Sequence, residues 1–441
     1  MRIYLESLGC ARNQVDSETM LAQLGSAGME IVADPAVADA IVVNTCAFIE
    51  AAADEAIDSI LTLARFKREG RCRRLIVTGC LPERYREPIS EALPEVDLFL
   101  GTGAYDRIVA AVKGGMASGT CLLPDPDAVD VRLPVARSPL TAHTAYLKIA
   151  EGCSRHCTYC IIPKLRGRQR SRPLETILEE ARVLIADGAR ELTLVAQETT
   201  AYGRDLDPPG DMAGLLGSLA GLERSVWIRV MYGHPESITP EMIRAIAEHD
   251  NICPYLDIPI QHAAEGVLKR MGRRYQAEEL LLLFDGLRRA IPDVALRTTV
   301  LVGFPGESEN DFEQLKRFVA QVGFDHLGVF AYSDAEDLPS HRLDEHVAPE
   351  VAEARCDELM AMQRDISAHN LTRYLGRNLN VLIEAREEDG FWMGRTVFQA
   401  PEVDGLTFIR PPGPDRTMAV GEVVPVRIVE SMDYDLIAEV I

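Results

Sequence analysis

The sequence predicts an α/β protein in three parts: an N-terminal parallel α/β sheet domain, a central partial (β/α)6 barrel and a small C-terminal antiparallel β-barrel. Three observations lead there. Strand-like apolar runs alternate with helix-like stretches through the first third and again through the middle, the pattern of parallel sheets covered by helices. Cysteines stand just past strand-like runs in both regions. The tail carries only short strand-like runs. The expected boundaries are 1–116, a linker over 117–138, 139–376 and 377–441.

The first run, Arg2 to Leu8, ends at Gly9-Cys10. A helix is expected from Asp16 to Gly25, with Asp16 or Ser17 as its cap. The second run, Ala40 to Thr45, ends at Cys46, and a helix-like stretch spans Ala51 to Arg68. The third, Leu75 to Gly79, ends at Cys80. In an open α/β sheet the C-terminal strand ends face one crevice. Cys10, Cys46 and Cys80 should therefore converge. Small buried cysteines are common in such cores, but three at equivalent positions point to a metal site. Cys72 and Cys121 lack that placement. Pro124, Pro126, Pro134 and Pro139 give residues 117–143 the composition of a linker.

A strand over Ala145–Ala150 leads into Cys153-Ser-Arg-His-Cys157-Thr-Tyr-Cys160. This C-x3-C-x2-C spacing suits three irons of a [4Fe–4S] cluster and leaves the fourth open to a ligand. Zinc is the competing reading, but structural zinc sites favour paired C-x2-C knuckles and four ligands. His156 reads as a polar loop residue. Arg166, Arg168, Arg170 and Arg172 follow as a basic strip, suited to an anionic cofactor, to RNA or simply to solvent.

Five further strand-like runs (191–197, 226–232, 255–260, 295–302 and 326–333) alternate with helix-like runs at 174–187, 240–249, 277–290 and 309–322. Six βα units fall short of the eight that close a full barrel. Gly303-Phe-Pro-Gly306-Glu307 follows the fifth of the six strands. Gly303 and Gly306 would allow close backbone approach to a ligand, although a plain βα turn also uses Gly and Pro.

The C-x3-C-x2-C loop, with Tyr159 before its last cysteine, resembles the radical S-adenosylmethionine signature. The cysteines within LGCARN, NTCAFI and TGCLPE resemble those of the N-terminal domain of methylthiotransferases. Together the two patterns cover almost the whole chain and resemble the radical S-adenosylmethionine methylthiotransferase family. The resemblance implies a radical-SAM core barrel and two [4Fe–4S] clusters, one on Cys153, Cys157 and Cys160 and one on Cys10, Cys46 and Cys80. It implies S-adenosylmethionine at the core cluster, radical abstraction of hydrogen from an unactivated carbon, and insertion of a methylated sulfur. Tyr159 and Glu198 are its implied cofactor neighbours, and no catalytic residue beyond the cluster ligands is expected.

A helix over 350–374 joins the core to the tail, where strands are expected at 379–384, 392–397, 406–409, 423–429 and 436–441. By position this module resembles the TRAM domain, an RNA-binding unit in tRNA-modifying relatives. Its six Arg and no Lys against twelve Asp and Glu, a net charge of −6, ill suit phosphate binding. The stretch Gly394-Arg-Thr to Gly405 and the ending Asp433-Tyr-Asp-Leu resemble the RimO branch, which modifies a ribosomal protein, more than the tRNA-modifying MiaB branch. The implied substrate is the β-carbon of an aspartate in small-subunit ribosomal protein twelve, free or in the ribosomal subunit. An electron donor such as a flavodoxin or ferredoxin is implied as well.

Composition bounds these readings. The chain has 441 residues, 47% hydrophobic and 26% charged, which excludes disordered and fibrous classes. No apolar run spans a membrane, and MRIYLESLGC does not read as a secretory signal, so the expected compartment is the cytoplasm. Ten cysteines in such a chain favour metal or redox chemistry over disulfides. Cys253 and Cys356 have no assigned role. A net charge of −22 repels phosphate backbones overall and attracts basic proteins, or serves solubility alone; a local basic patch would still bind RNA, but nucleic acid is not the expected direct substrate. The rivals are a tRNA methylthiotransferase, a two-cluster electron carrier and a zinc-stabilised RNA-binding protein.

Overall fold

The computed structural model describes residues 1–128, 130–131, 136–141, 143–388, 390–411 and 417–441; Pro134 of the expected linker lies outside them. The N-terminal sheet contains β1 (Arg2–Ser7), β2 (Glu30–Ile31), β3 (Ala40–Thr45), β4 (Arg74–Gly79), β5 (Leu98–Leu100) and β6 (Thr120–Leu122). Their order is β2-β1-β3-β4-β5-β6, and every pairing is parallel. β3, β4 and β5 are apolar on both faces, as strands covered on both sides must be. Thr120–Leu122, within the expected linker, joins this sheet as its edge strand.

The first helix begins earlier than its pattern suggested. It runs Ala11–Ser26 with Cys10 as its N-cap residue, so Asp16 and Ser17 do not cap it. Both lie buried inside it, and Asp16 meets Lys148 and Arg166 of the next domain.

The core contains β7 (Thr144–Lys148), a small antiparallel pair of β8 (Ala150–Glu151) and β9 (Arg170–Ser171), then β10 (Glu191–Val195), β11 (Trp227–Val230), β12 (Ile252–Asp257), β13 (Ala295–Val302) and β14 (His326–Ala331). The six long strands form one parallel sheet in the order β14-β13-β12-β11-β10-β7. Leu147, Leu192, Leu194, Ile228, Val230 and Leu256 pack against helices that include Leu174–Ala186, Met212–Ala220, Pro240–Glu248, Ala277–Ala290 and Glu309–Val322. This is the expected partial barrel.

Helix Pro349–Leu371 leads to β15 (Asn378–Arg386), β16 (Trp392–Arg395), β17 (Thr407–Ile409), β18 (Val423–Ser431) and β19 (Leu436–Val440). They close a barrel in the order β15-β16-β17-β19-β18. Four pairings are antiparallel and one, β17 with β19, is parallel. Trp227, Cys253, Tyr255 and Ala295 of the core pack against Tyr374, Phe398, Ala400 and Val424 of the C-terminal segment. Glu191, the first residue of β10, is fully buried there between Arg229 (2.5 Å) and Arg395 (2.8 Å). The C-terminal barrel therefore covers the N-terminal ends of the core strands, leaving their C-terminal ends to the cysteine loop.

Candidate active site

Three strand ends present the N-terminal cysteines. Cys10 follows β1 and begins a helix, Cys46 follows β3, and Cys80 opens helix Cys80–Tyr85 after β4. A buried amide network holds these ends together. Asn13 donates to the carbonyls of Leu8 and Thr45, Asn44 donates to the Asn13 carbonyl and to Ser17, and Thr45 donates to the Thr78 carbonyl. Gly9 has φ +94°, and a Cβ there would stand 2.6 Å from Cys46 Cβ. Only glycine lets the two cysteine turns approach so closely.

The three thiols lie near enough to one another to interact charge to charge. Burial pushes Cys80 up to about 11, against the pull of Arg166, and also raises Cys46. Burial opposes ionisation of Cys10 too, but there Arg12, Arg166 and two backbone amides outweigh it and lower the thiol.

The core loop follows β7 and β8. Gly152, at φ +78°, lets the loop pass the Gly167–Arg168 backbone, where an added Cβ would meet the Arg168 carbonyl at 2.0 Å. The Cys153 amide donates to the Gly167 carbonyl, and the Thr158 amide donates to the Met271 carbonyl. Burial pushes Cys153 up to about 11 and Cys160 up to about 12. His156 is exposed, as a polar loop residue should be.

Cys153, Cys157 and Cys160 open on a cavity of about 220 Å³, bordered also by Arg12, Tyr159, Gln197, Glu198, Tyr232 and Arg273. Among the described residues, no three His, Cys, Asp or Glu side chains close on a single metal-ion position.

The other predicted site residues fall in three places. Tyr159 lines the cavity, and its hydroxyl accepts from Arg273 Nε at 3.1 Å and Nη2 at 2.6 Å. Glu198 also lines it. Burial alone would raise its carboxyl, but hydrogen bonds from Arg155 and Ser237 hold it below the ordinary value. Gly303 and Gly306 lie outside this cavity. At φ +73° and +85° their open sides face Ala352 at 2.2 Å and the Arg270 guanidinium at 2.6 Å, so the close approach they permit is to protein. Their loop instead seats Phe304 edge-on against Tyr159.

The basic strip is neither a solvated face nor an open anion site. Arg166 is buried against Asp16 (2.7 Å), Glu151 (3.4 Å) and Asn13 (2.5 Å). Arg172 is buried against Glu180 at 2.7 Å, and Arg170 lies near Asp127 at 3.6 Å. Arg168 alone of the four is exposed. Through Arg166 the strip joins the core to the N-terminal domain. Ile161 and Leu165, beside the cysteine loop, enter the same apolar cluster as Val77, Cys80 and Phe99.

Sequence reasoning did not single out Arg12, Gln197, Tyr232, His234 and Arg273, which also line the cavity. Arg12 stands inside the LGCARN motif, two residues from Cys10, and that proximity was a usable signal. Gln197, Tyr232 and His234 follow strand ends and Arg273 follows the helix Glu265–Arg270, in turns that have no periodicity.

Family models match along the chain: the uncharacterized protein family UPF0004 over residues 2–101, the radical SAM superfamily over 147–319 and the TRAM domain over 375–441. A protein of Desulfosudis oleivorans named ribosomal protein uS12 methylthiotransferase RimO is 55% identical over the full length of both chains. The chain belongs to the RimO family of methylthiotransferases. RimO proteins of Anaeromyxobacter sp. strain K (46% identity, all of this chain and 93% of that one) and Clostridioides difficile (45%, all of this chain and 99% of that one) agree. Membership of the RimO family favours the ribosomal-protein branch over the tRNA branch.

The fold is shared with TsrM of Kitasatospora setae, a radical S-adenosylmethionine methyltransferase. That match has TM-score 0.57 at 13% identity over 75% of this chain and 74% of that one. As a radical S-adenosylmethionine protein, the chain is expected to use that cofactor and a [4Fe–4S] cluster. Among the described residues no helix is long and apolar enough to cross a membrane.

Proposed function

We propose that this protein inserts a methylthio group at the β-carbon of an aspartate in small-subunit ribosomal protein twelve. Full-length identity to proteins named for modification of uS12 is the observation that carries this reading.

In this reading Cys153, Cys157 and Cys160 hold one [4Fe–4S] cluster and Cys10, Cys46 and Cys80 a second. The donor set fits: each trio is all thiol, and the core trio borders an open cavity. Two buried polar atoms on its wall residues, Gln197 Oε1 and Arg273 Nη1, have no hydrogen-bond partner among the described residues. Bound clusters and S-adenosylmethionine supply the radical, the sulfur and the methyl group. The chain supplies position and dryness. Tyr159, Tyr232 and Phe48 wall the cavity, and Arg273 holds the Tyr159 hydroxyl in place. The Glu198–Arg155 pair stays ionised and ties the cysteine loop to the end of β10. His234 is kept neutral by burial and by Arg273 and Arg155, its pKa pushed down to about 3, so it does not add a positive charge to this wall.

We assign the protein to the cytoplasm, with a flavodoxin or ferredoxin as electron donor. The test is incubation of the iron-reconstituted protein with ribosomal protein twelve, tRNA, S-adenosylmethionine and a chemical reductant. A methylthio group on one aspartate of the protein is expected. Modified tRNA beside unmodified protein twelve would overturn the assignment.

A further inference from the structure

We infer that Arg12 is a specificity-determining residue that pairs with the β-carboxylate of the target aspartate; this rests on the function proposed above. The geometry singles Arg12 out. It stands two residues from Cys10, near enough to lower that thiol, and its side chain lines the cavity on which Cys153, Cys157 and Cys160 open. It thus lies between the two cysteine trios, beside Cys10 and on the wall of the cavity that the core trio borders. The guanidinium is fixed in place: Nη1 donates to the Ala196 carbonyl at 3.0 Å, and the group lies 4.6 Å over the Tyr232 ring. Among the described residues, no carboxylate pairs with it.

The neighbouring cations are placed differently. Arg155 is neutralised by Glu198 and Glu236. Arg273 stands over Tyr159, within the charge field of Cys157, on the core-loop side where the cofactor is assigned. Arg12 is therefore the cavity-wall cation at the N-terminal side whose charged neighbour in the chain is the Cys10 thiol and not a carboxylate.

The chemistry calls for such a group. The reacting β-carbon is one bond from the carboxylate, so anchoring that anion places the carbon. A planar guanidinium can hold a carboxylate with two parallel hydrogen bonds, which fixes direction as well as distance. Only a carbon within reach of both trios can lose hydrogen and gain sulfur without leaving the site.

The experiment uses the iron-reconstituted protein and two peptides from the modified loop of ribosomal protein twelve, one with the target aspartate and one with asparagine there. The dissociation constants of both are measured for the unchanged protein, Arg12→Met and Arg12→Lys, with S-adenosylmethionine affinity and iron content alongside. The unchanged protein should favour the aspartate peptide by on the order of tenfold or more, the span of a hydrogen-bonded charge pair. Arg12→Met should bring that ratio near one, and Arg12→Lys should restore part of it. A ratio unmoved in Arg12→Met overturns the inference. So does a loss confined to iron content or to S-adenosylmethionine affinity, since Arg12 would then serve a cluster or the cofactor. If the unchanged protein binds neither peptide, the substrate assignment itself fails and the inference falls with it.

Discussion

At the residue scale the proposed function gives the two cysteine trios separable tasks. Cys157→Ala should abolish reductive cleavage of S-adenosylmethionine while N-terminal iron remains. Cys46→Ala should keep that cleavage and lose sulfur insertion. Deoxyadenosine production and iron per chain check both, and cleavage retained by Cys157→Ala would refute the assignment of the core loop.

Glu191 offers a different kind of test. Burial alone would raise its carboxyl, but Arg229 and Arg395 outweigh burial and hold it down at about 2. A carboxyl depressed on folding stabilises the protein fully above its unfolded value of about 4.3. That contribution fades as pH falls toward 2. Glu191→Gln would leave two buried guanidiniums short of their charge partner, at a cost of about 3–5 kcal/mol near neutral pH. Its stability should also fall less steeply than the parent's between pH 5 and about 2. Denaturant melts across that range check both effects; parallel curves would contradict the account. None of this was legible in the sequence, because Glu191 and its partner Arg395 are far apart in the chain.

At the element scale the sites depend on turns where a side chain has no room. Gly9→Ala would force a Cβ against Cys46, and Gly152→Ala would force one into the Arg168 carbonyl. Each combines a clash with a left-handed φ, and each should cost about 1–3 kcal/mol. Gly9→Ala should lose N-terminal iron preferentially and Gly152→Ala core iron, as cluster spectra and iron counts would show. Equal retention of iron by both variants would mean these turns do not set cysteine spacing.

Elements with strong periodicity were readable: β13 and the helices Ala277–Ala290 and Glu309–Val322 have the expected bounds. β2, β5 and β6 were not, because two or three residues carry no period. Helix Met212–Ala220 was not among the expected helices; it is short and carries Gly214 and Gly217, which lower helix propensity. The placement of Cys10, Cys46 and Cys80 after successive strands was legible because parallel strands must end on one side. The fate of Arg166 was not, since Asp16 reaches it only through the docking of two domains.

At the scale of the whole molecule, charge and architecture point to a basic partner. The net charge is −22, and the C-terminal segment, with six Arg against twelve acids, is itself net acidic. That barrel covers the N-terminal ends of the core strands, while the cysteine cavity lies at their C-terminal ends. A partner touching both must span roughly 20 Å, the length of a strand of six residues. Association with ribosomal protein twelve should therefore weaken as salt rises from low to physiological ionic strength, through screening of steering charges. Binding kinetics at several salt concentrations check this, with the main change expected in the association rate. A salt-independent rate would remove the role assigned to the acidic surface.

The most direct test of the central claim is mass spectrometry of ribosomal protein twelve and of tRNA nucleosides from cells with and without this gene. The methylthio group should disappear from one aspartate of the protein while the tRNA nucleosides stay unchanged. Loss from tRNA with protein twelve unaltered would contradict it.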